Sequence, residues 1–292
     1  MITIVLVLLS LAAGIGFVYW LLILTEGAYL GPRVVAFLYD RGATTYDRVK
    51  QFDAVDDARF LALPLVRRLR GIERPLVLDV ATGTGRLPLA LLRNLEFEGT
   101  IVGLDISLGM LEEARRKAAR YHDRVYWLWK DASDLPLGDD CFDAVTCLEA
   151  LEFVPEPAGA LREMVRVLRP GGTLLVTNRI GLDATVMPGR AFRKEDLRAR
   201  LAELGLVSVE IERWQTYYDL VWARKEGSLP PGDPPRTVEE VLCCPGCGGR
   251  SLTSESKRLV CGSCGFSYQV DSDIICTGRR GGHRSTGRRW QG

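Results

Sequence analysis

The chain has 292 residues, 47% of them hydrophobic, and a formal net charge of +1. That length suffices for one full α/β domain with a small appendage, and the near-neutral balance excludes a global field of the kind that gathers nucleic acid. Of its 8 cysteines, all but three fall within residues 243–264, a clustering that points to a metal site rather than a disulfide framework.

Ile2–Leu24 contains no charged residue. About 20 apolar residues span a bilayer as a helix. A cleaved signal peptide would need a basic leader, a shorter apolar core and a small-residue cleavage site. No Lys or Arg precedes the run, so residues 1–25 are expected to be an uncleaved transmembrane helix. Arg33, Arg41, Arg48 and Lys50 follow it, and the positive-inside rule puts the C-terminal side in the cytoplasm. Reduced cysteines agree with that compartment. Residues 31–70 read as helical in pieces.

Residues 76–91 organise the rest. Leu76, Val77 and Leu78 form a short apolar run that ends at Asp79, and a tight loop with Gly83 and Gly85 leads into apolar residues at helical spacing, Leu87 and Leu91. Strand, glycine turn and helix present backbone N–H groups to an anionic or polar cofactor. A second buried strand, residues 101–104, ends at Asp105. An acid about 20 positions after the glycines is placed to bind ribose hydroxyls. Two cofactor classes fit, dinucleotides and S-adenosylmethionine. A dinucleotide site wants a small residue where Pro88 stands and has no need of an acid at Asp79.

Ser107 is a candidate N-cap for a helix through Ala119. Val125–Trp129 reads as a third strand and residues 141–148 as a fourth. Residues 159–168 read as a helix stopped by Arg169-Pro170-Gly171-Gly172, with a fifth strand at 173–177. Residues 178–190 read as a loop, 192–204 as a helix, and 207–214 with 217–223 as a closing antiparallel pair.

Residues 226–240 form a proline-rich linker. Two Cys-x-x-Cys knuckles follow, Cys244 with Cys247 and Cys261 with Cys264. Four thiolates at this separation suit tetrahedral zinc in a closed, structural site. Cys243 is a spare thiol that competes as a ligand, while Cys141, Cys147 and Cys276 read as plain core or surface residues. The zinc module is expected over residues 241–277, and a basic disordered tail over 278–292.

The run Asp79-Val80-Ala81-Thr82-Gly83-Thr84-Gly85, the stretch Gly103-Leu104-Asp105-Ile106-Ser107 with Met110, the pair Asp131-Ala132 and the Arg169-Pro170-Gly171-Gly172 stop resemble the class I S-adenosylmethionine-dependent methyltransferases, nearest the ubiquinone and menaquinone biosynthesis branch. The likeness runs in order from about Tyr39 to Lys225. It implies a seven-stranded Rossmann-like α/β sheet with helices on both faces, over residues 26–225. It further implies that Asp79, Ala81, Thr82, Gly83, Gly85, Asp105, Ile106, Met110, Asp131, Ala132 and Leu148 line the cofactor site, with Asp131 accepting from the adenine amino group. Tyr39-Asp40, Tyr46-Asp47 and Phe52-Asp53 match the family segment that covers cofactor and substrate; an amphipathic helix on the sheet or membrane is the other reading. Residues 241–275 resemble the zinc-ribbon proteins that activate several methyltransferases, which implies a built-in partner domain.

Past the fourth strand the chain has neither the Asn/Asp-Pro-Pro-aromatic pattern of amine methyltransferases nor the family's frequent histidine pair. Glu149 is therefore the candidate catalytic residue, as a base or a hydroxyl binder. Glu152 reads as a solvated carboxylate at a helix start. The expected function is methyl transfer at the cytoplasmic membrane surface to a small lipophilic acceptor, such as a quinone precursor or another lipid. The alternatives are a methyltransferase for RNA or protein, suggested by the zinc module and arginine tail, and a membrane-tethered binding protein without catalysis.

Overall fold

The computed structural model describes residues 2–228, 236–244, 246–255, 258–271 and 273–276. Residues 229–235 of the expected linker and the whole arginine-rich tail lie outside the described residues. The helices are α1 (Ile2–Tyr19), α2 (Pro32–Gly42), α3 (Tyr46–Lys50), α4 (Ala54–Asp57), α5 (Leu63–Arg68), α6 (Arg86–Leu92), α7 (Leu108–Lys117), α8 (Pro157–Val167), α9 (Leu182–Thr185), α10 (Lys194–Glu203) and α11 (Val238–Val241). The strands are β1 (Leu76–Val80), β2 (Thr100–Asp105), β3 (Val125–Trp129), β4 (Phe142–Cys147), β5 (Leu168–Arg179), β6 (Leu206–Gln215), β7 (Tyr218–Lys225), β8 (Leu252–Glu255), β9 (Arg258–Cys261), β10 (Ser267–Asp271) and β11 (Ile274–Cys276).

The seven strands expected from the sequence lie in the order β6-β7-β5-β4-β1-β2-β3, with β7 antiparallel to its neighbours and the others from β5 to β3 parallel. The sheet does not stop at seven. The edge of β3 pairs in parallel with β11, and β10, β9 and β8 continue as antiparallel neighbours, giving an 11-stranded sheet. An exposed edge strand is a row of unpaired N–H and C=O groups, and the cysteine-bearing module covers it.

Successive residues of β1 feed opposite faces, as the period of two requires. Leu76, Leu78 and Val80 join the layer packed by α8 and α10, through Leu161, Met164, Leu197 and Leu201. Val77 joins the layer packed by α5, α6 and α7, through Leu65, Leu91 and Leu111. Val241, Leu242, Tyr268 and Ile275 belong to the first of these layers, so the C-terminal module shares the core of the catalytic domain.

Arg169-Pro170-Gly171-Gly172 was expected to be a helix stop outside the sheet, yet all four residues belong to β5. The reason is a buried ion pair. Arg169 Nη1 lies 2.8 Å from Asp143 Oδ1, and Asp143 Oδ2 accepts the Leu76 N–H at 2.8 Å. Breaking such a pair leaves an uncompensated buried charge.

The apolar N-terminal helix, extended by a π-helical turn at Trp20–Leu24, has no buried residue along α1. Ile2–Leu24 is long and apolar enough to cross a membrane, a property that a signal sequence shares. Its far end is fastened to the domain. The Trp20 Nε1–H donates to Val186 O at 2.8 Å, Trp20 stacks on Tyr29, and the Tyr29 hydroxyl donates to Pro188 O at 2.7 Å.

Candidate active site and metal centre

Strand order reverses between β1 and β4, because β1 leads to β2 on one side and β4 to β5 on the other. Crevices form at the C-terminal ends of such strands. Here a cavity is lined by Ala81, Gly83, Leu104, Asp105, Ile106, Asp131, Ala132, Leu148 and Glu149, with Pro32, Val35, Tyr39 and Tyr46 from the segment before β1. Phe153, Val154 and Pro155 complete an apolar wall. A second cavity adjoins it, lined by Asp79, Ala81, Thr82, Gly83, Thr84, Arg86 and Glu149 together with Tyr46 and Phe52.

Two buried carboxylates anchor the floor. Asp105 Oδ2 accepts the Gly83 N–H at 2.8 Å, and its Oδ1 accepts the Ser107 N–H at 2.8 Å. Each oxygen keeps a second lone pair for a ligand hydroxyl. Burial pushes the Asp105 carboxyl up to about 6, partly opposed by these backbone N–H groups. Asp79 accepts the hydroxyls of Thr82 and Thr146, each at 2.6 Å, and burial likewise pushes it up to about 6. Gly83 has φ +54° with open space where a Cβ would stand, a backbone conformation that leaves room for a ligand. Ala81 and Glu149, both lining the cavity, also hold positive φ, at 53° and 51°. Such conformations in non-glycine residues are strained and cluster at ligand sites.

The structure places most of the sequence-derived cofactor residues on one or other cavity. Gly85 and Met110 line neither: Gly85 caps α6, where a Cβ would stand 3.2 Å from that of Ala114, and Met110 is wholly buried in α7. Asp131 lines the first cavity, its Oδ1 accepting the Ser133 N–H at 2.7 Å.

Glu149 is held, not free. Its Oε1 lies 2.6 Å from Arg86 Nη1 and its Oε2 4.0 Å from Lys50. Arg86 in turn pairs with Asp57 at 2.7 Å and lies over the Phe52 ring. The sequence reading missed Arg86, whose one local signal is a cation at the helix start directly after the glycine loop. Glu152, expected in solvent, is 1% exposed. Its Oε1 accepts the Tyr218 hydroxyl at 2.5 Å and lies 3.3 Å from Arg179, while Oε2 has no hydrogen-bond partner among the described residues. Burial raises its carboxyl above the ordinary value. The turn Leu151–Phe153 folds back onto β5 and β7, and this carries Glu152 inward.

The segment before β1 closes over the cavity through its acids. Asp40 Oδ1 accepts the Ser107 hydroxyl at 2.5 Å and the Gly109 N–H at 2.9 Å. Asp47 Oδ1 accepts from Thr84 at 2.5 Å, and its Oδ2 pairs with Lys117 at 2.6 Å.

In the C-terminal module the sulfurs of Cys244, Cys247, Cys261 and Cys264 lie within 4.8 Å of one another. Cys244 and Cys264 are 3.5 Å apart, and Cys247 and Cys261 3.7 Å. Four thiolates about 2.3 Å from a tetrahedral ion would be about 3.8 Å apart. The cluster could therefore hold a metal ion. Cys243 stands outside it: its N–H donates to Pro136 O at 2.8 Å, and its carbonyl accepts the Tyr268 hydroxyl.

Residues 78–176 match the family described as methyltransferase domain. A demethylmenaquinone methyltransferase of Clavibacter sepedonicus is 37% identical over 145 residues, which are 50% of this chain and 58% of that protein. The chain thus spans little more than half the length of that relative. The cyclase SpnF superposes with a TM-score of 0.55 at 22% identity, covering 66% of this chain and 96% of its own. A chain of the complex between the Haloferax volcanii Trm112 methyltransferase activator and a methyltransferase superposes with a TM-score of 0.52 at 22% identity, covering 64% of this chain and 97% of its own. One fold serving a cyclase and methyltransferases means that activity must be read from the site. Over residues 78–176 the chain matches the methyltransferase domain family, and the superposed structures share its fold.

Proposed function

We propose that the protein transfers a methyl group from S-adenosylmethionine to a small lipophilic acceptor at the cytoplasmic surface of a membrane. The observation that carries this reading is one cavity whose lining combines the polar groups Asp105, Gly83 and Asp131 with the apolar Val35, Phe153, Val154 and Pro155. The match to a demethylmenaquinone methyltransferase supports an acceptor of that lipophilic kind.

S-adenosylmethionine supplies a methyl group already activated by its sulfonium. The chain's own task is then alignment and exclusion of water. Asp105 accepts the ribose hydroxyls, and Asp131 faces the adenine. The Arg86–Glu149 pair fixes a carboxylate beside Leu148 at the end of β4, where it orients an acceptor hydroxyl or takes its proton. Tyr39 and Tyr46 are driven well above the ordinary phenol value by burial first, so they act as neutral walls and hydroxyl donors. The four-cysteine cluster holds zinc in a structural role, since no coordination position stays open. Ile2–Leu24 anchors the chain in the bilayer.

The test uses methyl-labelled S-adenosylmethionine, the purified full chain and a whole-cell extract, followed by separation of organic and macromolecular fractions. Label in the organic phase, lost with Asp105→Ala, is the expected result. Label in RNA or protein, or none at all, would overturn the lipophilic acceptor.

A further inference from the structure

α2 has two faces with different chemistry. Pro32, Val35 and Tyr39 turn towards the cavity. Arg33, Phe37 and Arg41 recur every four residues along the opposite face, and all three are exposed. Phe37 is a large apolar side chain left 54% exposed. The Arg41 guanidinium lies 5.2 Å from the centre of its ring. Arg48 extends the same exposed charge into α3.

The charges of this segment are sorted. Each acid between Glu26 and Arg48 is engaged: Glu26 accepts the Tyr39 hydroxyl at 2.6 Å, Asp40 binds Ser107 and Gly109, and Asp47 binds Thr84 and Lys117. No ion pair joins Arg33, Arg41 or Arg48 to an acid among the described residues. Each acid has a partner within the domain, although Asp40 is exposed and the Asp47 side chain 45% exposed, and the Arg33–Phe37–Arg41 row itself holds an aromatic wedge between two arginines that no acid pairs among the described residues. This ridge begins shortly after Leu24, the last residue of the apolar helix.

Resting on the membrane reading of Ile2–Leu24, we infer that α2 is an interfacial helix whose Arg33–Phe37–Arg41 ridge docks on an anionic phospholipid surface. Basic residues next to a span are drawn to anionic headgroups, and an aromatic ring between them enters the boundary with the acyl chains. Continuity with the span and charge complementarity both select a lipid surface as the occupant. Because the inner face of α2 walls the cavity, docking holds that wall against the bilayer in which a lipophilic acceptor resides. Lipid charge then governs how firmly the cavity is closed.

The experiment reconstitutes the full chain in phosphatidylcholine vesicles with and without phosphatidylglycerol. Hydrogen exchange is followed over α2, and brominated lipid is used to quench an added Phe37→Trp indole relative to the parent chain. Phosphatidylglycerol should slow exchange across α2 and increase quenching at position 37. Neutralising Arg33→Gln and Arg41→Gln should remove the charge-dependent protection, by about fivefold for each arginine. High salt should do the same. S-adenosylhomocysteine affinity of this double variant in detergent should stay at the parent value, which shows that the fold is intact. Equal exchange in neutral and anionic vesicles, or protection that survives in the double variant, overturns the inference while the span stands. Failure of the parent chain to float with either vesicle overturns the membrane reading itself. Displacement of α2 protection by added RNA would assign the ridge to nucleic acid instead.

Discussion

Cys276 stands opposite Trp129 in the parallel pairing of β11 with β3, and the Trp129 indole N–H donates to the Ile106 carbonyl at 2.8 Å. Ile106 lines the cavity at the strand ends. A short covalent and hydrogen-bonded path therefore joins the four-cysteine module to the floor of the site. Small metal-binding modules fold with their metal and unfold without it. Chelation, or Cys261→Ser, should release β8–β11, uncover β3 and lower the melting temperature. S-adenosylhomocysteine affinity should fall about tenfold, within the usual range for coupled sites. Calorimetry with and without chelator decides it, and unchanged affinity would mean that β3 holds its shape alone.

Asp105→Asn keeps the size of the side chain but removes its charge and half of its accepting capacity. Hydrogen bonds to charged groups contribute about 1.5–3 kcal/mol, so cofactor affinity should drop roughly 10- to 100-fold. Titration calorimetry with S-adenosylhomocysteine measures this directly. An unchanged Kd would remove Asp105 from the ribose contact.

The pH dependence follows from the same carboxylates. Asp79 and Asp105 are both raised by burial, from 3.8 to about 6. Between those values the folded ligand-free chain binds more protons than the unfolded one. Their contribution to stability therefore falls as pH rises through that window and levels off above it. Cofactor binding runs the other way, because ionised Asp105 is the better acceptor for ribose hydroxyls. Affinity should climb up to tenfold per pH unit towards about 6 and then flatten. A profile flat from pH 5 to about 8 would contradict this assignment.

Arg86 compensates two largely buried acids, Asp57 and Glu149, which are 7% and 9% exposed at the side chain. Arg86→Met strands Asp57 and leaves Glu149 only Lys50 at 4.0 Å, and breaking a buried pair from one side costs about 3–5 kcal/mol. Glu149→Gln leaves Arg86 with Asp57 and should cost about 1 kcal/mol. Once the acceptor is in hand, Glu149→Gln should lower kcat more than it raises KM. Denaturant unfolding of the pair of variants tests the first claim, and kinetics the second.

Gly103 sits in β2, two residues before Asp105. A Cβ there would stand 2.6 Å from Trp127 Cζ3 and 3.2 Å from Thr82 Cγ2. Overpacking of this kind costs about 1–3 kcal/mol, so Gly103→Ala should lower the melting temperature and weaken cofactor binding through the displaced Thr82. A neutral outcome would mean that the indole moves freely.

Much of the molecule was legible in residue order. Val125–Trp129 alternates and packs as a strand, Ser107 accepts the Met110 N–H as an N-cap, and the two Cys-x-x-Cys knuckles converge. These features are local: the period of two, the capping hydroxyl and the reach of a short knuckle are decided within a few residues of chain. Three matters were decided only by packing. Glu149 meets an arginine 63 positions earlier, Glu152 turns inward to a tyrosine 66 positions later, and β11 returns to pair with β3. No local pattern encodes such meetings, because they depend on which surfaces the sheet brings face to face. Glycine spacing and the acids at strand ends pointed to residues that line the cavities at the strand ends. Tertiary structure decided which carboxylate is paired, which is buried, and which face of α2 is left to the solvent or the bilayer.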